Sequence, residues 1–378
     1  MTIVHVIPFL WSGAGRVVIR LCEAQRRSGH AVHVVTSVNS RGLSDWQPHR
    51  RAASRLGVRH HRIDTFDRDP ASFWPATGAI GDLLNHLRPA VVHAHAGVPA
   101  AAVAMAVAGT TGRPAIVGQL YSWGPNRPAW MDQMDLWGFR NADAVIASAR
   151  AYHHLLAAGG VEARRLHLVR LGIDVAPEKN QSLRPRPRSG PRLGFVGRIE
   201  PRKDQRGLVA LLSELRRHQP AVTLDLVGPV ADPAYDALVD ADIRRLGLEG
   251  HVRRVGQVRD VWRHLRSWDL FVSLSTDEGQ GLAVLEAMSV GVPVAARSAP
   301  GIEDYLEDGR TGIVLRGTSS KHLARALRLG LADVPVLARI ARRGAAMVVR
   351  RYRWQETIAR VEAVYACAID DAKRRRRT

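Results

Sequence analysis

The sequence predicts two doubly wound α/β domains, and three observations carry that expectation. Short, β-branched apolar runs alternate with amphipathic segments from the first residue onward. The alternation breaks once, in "IDVAPEKNQSLRPRPRSGPR", which is rich in Pro, Arg and Ser and has no period, and it restarts beyond that stretch. A chain of 378 residues, 46% of them hydrophobic, exceeds what one ordinary core holds and supplies two. A βαβα rhythm of this kind builds a parallel sheet covered by helices on both faces.

In chain order, "TIVHVIPF" is β-like, and "GRVVIRLCEAQRRSGH" has helical spacing with Val17, Leu21 and Ala24 on one face. Ser28-Gly29 closes that helix, glycine being at home just past a helix end. "AVHVVTSV", "PAVVHAHAG" and "ADAVIASA" are further strands bounded by turn residues. Residues 173–191 read as a linker. After it come strand "RLGFVGR", helix "DQRGLVALLSELRRH", strand "VTLDLVG", helix "AYDALVDADIRRLGL", and strands "HVRRVGQV", "DLFVSLS" and "VPVAA". Ligands of such sheets collect at the carboxyl ends of strands, near helix N-termini.

Composition removes several classes. The longest apolar run, Pro99 to Gly109, is far below the roughly 20 residues of a membrane span. The N-terminus lacks the basic region and cleavage site of a signal peptide, so a cytoplasmic location is expected, with a peripheral place at the inner membrane face left open. Cys22 and Cys367 match no metal or redox spacing and are expected as buried free thiols. The formal charge of +20 rests on 55 basic residues that are nearly all arginine and scattered along the chain. Without interleaved aromatics they do not form a nucleic-acid surface. The dense stretch His49 to Arg62 in the N-terminal domain is the candidate contact with an anionic membrane.

Several motifs converge on phosphate. "WSGAGRVV" follows the first strand and opens the first helix; Gly13 and Gly15, on either side of Ala14, let the backbone approach an anion at a helix N-terminus. The same placement alone also describes a tight β–α turn. "FVGRIEPRKD" puts Arg198 and Lys203 just beyond a strand, where two cations clamp a diphosphate, or remain as surface charges. "TDEGQGLAVLEAM" follows the strand "DLFVSLS", so the amides of Gln280, Gly281 and Leu282 are placed to open a helix toward phosphate. Glu286, eight residues beyond Glu278, sits roughly 80° around the helix from it. Leu282, Leu285 and Met288 surround Glu286, and a carboxylate held there needs donors such as a ribose diol, unless it turns sideways to water.

With these residues in view, the chain resembles the GT-B-fold nucleotide-sugar glycosyltransferases of the retaining family 4. Glu278 and Glu286 match the family's E-x7-E motif, and Gly197, Arg198 and Lys203 its G-R-x4-K element. "PGIEDYLEDGRTGIVL", "LVRLGIDV", "RPAVVHAHAG" and "SGAGRVV" resemble further family segments, so the likeness spans nearly the whole chain. It implies an acceptor domain of residues 1–172 joined by a C-terminal helix at about 352–372, and a donor domain of residues 192–351.

The resemblance implies that Arg198 and Lys203 neutralise the departing diphosphate of a UDP- or GDP-type donor, that Glu286 binds ribose and that Glu278 contacts the sugar. Gly279 to Leu282 would lie near sugar and phosphate, Gly197 beside them, and Gln257 and Val258 near the base. Gly13 to Arg16 would close over the diphosphate. Transfer to a hydroxyl acceptor would retain configuration, the leaving phosphate assisting deprotonation on the same face, without an essential metal. Arg16, His95, Gln119 and Tyr121 are acceptor-side candidates.

The chain departs from the family pattern at Leu120, where a histidine is common, at Gly15, at Gly228-Pro229 and at Asp304. His93 and His95 share a strand face as a metal pair would, but no third ligand is evident and no metal is expected. Two alternatives stay open: a nucleotide-sugar epimerase of the same architecture, and a basic, non-catalytic binder of polyanions or membranes.

Overall fold

The computed structural model describes residues 1–38, 47–63, 69–124, 127–175 and 190–375. The chain divides into two compact units, residues 1–172 with 354–378, and residues 173–353. Most of the predicted linker, 176–189, lies outside the described residues.

The first unit holds a seven-stranded parallel sheet. Its strands are β1 (Thr2–Val6), β2 (Ala31–Ser37), β3 (Arg59–Ile63), β4 (Val91–His95), β5 (Ala115–Leu120), β6 (Ala144–Ala147) and β7 (Leu166–Leu168), in the order β3-β2-β1-β4-β5-β6-β7. Helices α1 (Ser12–Arg27), α2 (Gln47–Arg55), α3 (Pro70–Leu87), α4 (Gly97–Ala106), α5 (Ala129–Arg140) and α6 (Arg150–Ala158) connect them. The second unit repeats the plan with six strands, β8 (Arg192–Val196), β9 (Thr223–Val227), β10 (Val252–Gly256), β11 (Leu270–Ser273), β12 (Val294–Arg297) and β13 (Ile313–Leu315), in the order β10-β9-β8-β11-β12-β13. Its helices are α7 (Gln205–Arg216), α8 (Pro233–Arg245), α9 (Val261–Leu265), α10 (Leu282–Ser289), α11 (Ser320–Ala332) and α12 (Val334–Arg351). The last helix, α13 (Trp354–Arg375), belongs to the first unit and packs on β5, β6 and α1.

The apolar runs form strands because they bury on both faces: β4 and β5 have no exposed residue. Helix α1 buries Val17, Leu21 and Ala24 and ends at Ser28, with Gly29 at φ +78°. Val361 and Tyr365 of α13 are buried, and Ile358 is half-buried. In both sheets the strand order reverses beside the first strand, between β1 and β4 and between β8 and β11. That crevice is where open α/β sheets bind ligands.

Several expectations change. "LVRLGIDV", which the resemblance likens to a hinge strand between the domains, is not one: β7 ends at Leu168 and Val169 to Val175 run on without a strand. Cys22 is buried but Cys367 is exposed. The basic stretch His49 to Arg62 folds as most of α2 and β3, and half of it is structural. His49, Ala53 and Val58 are buried, and His60 and His61 are hydrogen-bonded to Thr36 and His33, each at 2.8 Å. Arg51, Arg55, Arg59 and Arg62 face outward. Among the described residues no helix is long and apolar enough to cross a membrane.

Candidate functional site

The second unit's switch point gathers the predicted cations and carboxylates. Beyond β8 the chain turns through Gly197, where a methyl group would meet the Phe195 ring at 2.6 Å. Gly228 holds φ +145° against the Gly197 carbonyl, 2.0 Å from where its own methyl would lie, so this crossing requires glycine. A single 3-10 turn, Pro201–Lys203, then aims Lys203 inward, where it is 9% exposed.

Beyond β11, Thr276 donates its backbone N–H to the Arg202 carbonyl at 2.9 Å, tying the two loops together. Lys203 Nζ then meets Glu278 Oε1 at 2.6 Å. Arg198 pairs with Glu200 at 3.0 Å, and Arg202 with Glu200 at 2.6 Å and Asp277 at 3.3 Å. Burial pulls the Arg198 guanidinium below its usual pKa, while Glu200 and Glu278 favour its charge. For Arg202 burial acts the same way, but Glu200 and Asp277 outweigh it and the pKa rises. The sequence expectation had Arg198, Lys203 and Glu278; it missed Arg202, Glu200 and Asp277, whose charges alternate through "RIEPRKD" and "TDEG".

The loop Asp277 to Gly281 rests on the segment that follows β12. Gly301 donates its N–H to the Glu278 carbonyl at 3.0 Å, and Tyr305 donates its hydroxyl to the Gln280 carbonyl at 3.0 Å. Gly281, at φ +70°, is the N-cap of α10, and no side chain caps this helix. Glu278 therefore lies in the loop and not on the helix, so an azimuth between it and Glu286 has no helical meaning. Glu286 is 3% exposed, which excludes the sideways, solvated orientation. Gln280 is also buried; Leu282 and Gly279 are half-buried. Gln257 is exposed and Val258 half-buried just past β10. A methyl at Gly301 would lie 2.3 Å from the Gly279 carbonyl oxygen. Backbone cannot swing aside as a side chain does, so Gly301→Ala is expected to cost about 1–3 kcal/mol. Urea denaturation measures this, and an unchanged midpoint would refute it.

In the first unit, Gly13, Ala14, Gly15 and Arg16 form the first turn of α1 and not a loop before it. A methyl on Gly15 would meet the Leu10 carbonyl carbon at 2.8 Å, so glycine here permits close packing of the turn. No side chain caps α1, and its first turn has no acidic residue.

Beside it, β1 and β4 carry three buried histidines on the side that meets Gln25 of α1 and Tyr365 of α13. His5 lies opposite His93 in the register, and His5, His93 and His95 each place a nitrogen within 4.8 Å of the others. The expectation that no third ligand accompanies His93 and His95 is thus corrected: His5 is there. It was missed because β1 and β4 pair across two intervening strands. Gln119 is buried, and Tyr121 is half-buried just past β5, with its hydroxyl hydrogen-bonded to His95 Nδ1 at 2.7 Å. Leu120 points to the opposite face and joins the apolar core, as strand alternation requires. Burial pushes His5 down to about 4 and carries His93 and His95 well below the ordinary histidine value. Directly after His95, Ala96 holds φ 99° and ψ 173°, a conformation that costs a non-glycine residue about 1–3 kcal/mol.

Comparison with known proteins matches both halves. Residues 11–177 fit the model of "Glycosyltransferase Family 4", and residues 178–347 that of "Glycosyl transferases group 1". The chain is a glycosyltransferase of the family 4 type. The glycogen synthase of Mycobacterium tuberculosis is 27% identical over 96% of this chain and 92% of its own length. The D-inositol 3-phosphate glycosyltransferase of Streptomyces avermitilis is 32% identical over 49% of this chain and 41% of its own. Among solved structures, Anabaena HepE in complex with UDP and glucose has TM-score 0.80 at 20% identity, covering 97% of this chain and 99% of HepE. Sucrose-phosphate synthase from Thermosynechococcus elongatus has TM-score 0.78 at 19% identity, covering 97% and 98%. The glycosyltransferase therefore has the GT-B fold.

Proposed function

We propose that this glycosyltransferase moves a hexosyl group from a nucleoside diphosphate sugar, UDP-linked before GDP-linked, to a hydroxyl acceptor with retention of configuration. The observation that carries the proposal is the Lys203–Glu278 pair, which binds the loop after β8 to the loop before α10. Arg198 interacts with the same glutamate, and the adjacent helix starts without a side-chain cap.

Bond cleavage at the anomeric carbon leaves negative charge on the β-phosphate. Preorganised cations and helix amides stabilise that charge more than the ground state, which is what accelerates the step. Arg198 and Lys203 supply the charge and the α10 amides the dipole, so the assignment calls for no essential metal. Glu278 fixes the Lys203 ammonium and accepts a hydrogen bond from the sugar. Glu286, buried in α10, accepts from the ribose diol. Proton removal from the acceptor falls to the leaving phosphate on the same face. The HepE complexes with UDP and with glucose support the uridine donor, and the named relatives support hexosyl transfer.

Calorimetric titration of UDP, GDP, ADP and TDP tests this reading. One nucleotide is expected to bind the native protein, and Glu286→Ala to weaken it about 10- to 100-fold, the worth of one or two charge-assisted hydrogen bonds. Absence of binding by every nucleotide, with the protein folded, would sink the proposal.

A further inference from the structure

The histidine trio of the first unit has the composition of a metal site, yet its hydrogen bonds give it a different character. His5 Nδ1 is bonded to His95 Nε2 at 2.9 Å, and His5 Nε2 to Gln25 Oε1 at 2.8 Å. Gln25 Nε2 donates to the Tyr365 hydroxyl at 3.2 Å, and that hydroxyl is bonded to His93 Nδ1 at 2.8 Å. On the other side, His95 Nδ1 is bonded to the Tyr121 hydroxyl at 2.7 Å, which lies 3.3 Å from the Gln119 amide. Two buried nitrogens of this cluster, His93 Nε2 and Gln119 Nε2, have no partner among the described residues. The Gln119 side chain is the group beside His93 on this side, near enough to favour its charged form.

Proton counting decides what these contacts are. Gln25 Oε1 accepts only, so His5 Nε2 carries a proton. A neutral His5 then has a lone pair at Nδ1, which takes the His95 Nε2 proton. His95 Nδ1 is left as an acceptor for the Tyr121 hydroxyl. Tyr121 has one proton, now used, so Gln119 must turn its NH₂ toward the Tyr121 oxygen. The two ends of a glutamine amide are distinguished by the bonds they make, and this turn aims the Gln119 oxygen at His93. His93 Nε2 donates to it, and His93 Nδ1 accepts from Tyr365, whose oxygen accepts from Gln25. The circuit closes. Leaving Gln119 unturned instead demands an imidazolium at a fully buried position, or the turning of Gln25 with every donor reversed.

We infer that Gln25, Tyr365, His93, Gln119, Tyr121, His95 and His5 form one closed ring of hydrogen bonds running in a single sense, which keeps all three histidines neutral in one shared tautomer and holds the Tyr121 hydroxyl in a fixed direction. A metal ion has no lone pair to use without opening the ring. Burial, which lowers the three histidine pKa values and raises those of Tyr121 and Tyr365, works in the same direction. On the proposed function, Tyr121 stands at the acceptor end of β5, and the other six members are positioning residues acting through it.

The test uses the full chain labelled with ¹⁵N-histidine, and its first readout does not depend on activity. Two-bond ¹H–¹⁵N spectra are expected to give three neutral Nε2–H histidines with unprotonated Nδ1, unchanged from pH 8 to pH 5.5. Tyr121→Phe and Tyr365→Phe assign His95 and His93, each losing its Nδ1 donor. Three Nδ1–H signals would support the closed ring running in the opposite sense, with Gln25 and not Gln119 turned. Mixed tautomers, an imidazolium in this pH range, or one equivalent of zinc that erases the Nε2–H signals would overturn the ring. Tyr365→Phe, on α13, opens the ring away from Tyr121. It is expected to raise the acceptor KM by up to about tenfold, the worth of one hydrogen bond, with the donor KM unchanged. Equal change in both constants would remove the positioning role. Loss of nucleotide binding with an intact ring would refute the proposed function and leave this inference standing.

Discussion

Arg198→Ala is expected to lower kcat by about 100- to 1,000-fold, the usual loss when one preorganised donor to developing charge is removed. Arg198 is 19% exposed at its side chain and pairs with Glu200 at 3.0 Å, so its guanidinium is held before any substrate arrives. Burial already works against its charge, and a departing diphosphate relieves that cost. Arg198→Lys keeps the charge and loses the planar fork, and is expected to recover part of the rate. Fold is not at risk, because Glu200 keeps Arg202 at 2.6 Å. Steady-state kinetics with saturating donor measures the effect, and a change of less than threefold would remove Arg198 from the leaving-group site.

The largest stability effect is expected at Asp225, where no chemistry is proposed. Asp225 of β9 is 2% exposed and accepts from Arg192 on β8, Arg253 on β10 and the Trp268 indole, each at 2.7 Å. The indole lies where a methyl on Gly194 would be, 1.9 Å from the ring, so β8 carries glycine there. Asp225→Ala leaves the Arg192 guanidinium and the indole N–H without their acceptor and is expected to cost about 3 kcal/mol, the low end for a broken buried pair because Arg253 reaches water. Burial raises the Asp225 pKa, but hydrogen bonds from Arg253 and Trp268 and the charge of Arg192 outweigh it, and the net shift is downward. A carboxyl depressed in the folded state contributes stability above its unfolded value, about 3.9, and that contribution is lost as pH falls through the folded pKa. Urea denaturation should therefore show the mutant losing less than the native protein between pH 4 and pH 2. Equal losses would mean that Asp225 is not the linked group.

Much of this was legible along the chain. The strand runs could be read because two-sided burial in a parallel sheet demands continuous β-branched residues, as in β4 and β5. The donor motif could be read because it is local: Gly281 and Glu286 lie on one turn and one short helix. β3 was not legible, since "RHHRI" lacks apolar character; it is a strand because its histidines answer Thr36 and His33 on β2. Cys367 was misplaced for a related reason: α13 covers its neighbours with one face, and that residue stands on the other.

By itself the sequence determined two α/β units, the family, and the residues that bear charge at the strand ends, because each follows from patterns within about twenty neighbouring positions. Tertiary structure decided which of those residues meet. Lys203 finds Glu278 75 residues away, and His5 finds His95 90 residues away. Both pairs exist because the strand order reverses beside the first strand of each sheet, setting β1 against β4 and β8 against β11. Adjacency across a crossover is set by the packing of helices between strands, and no spacing along the chain carries it.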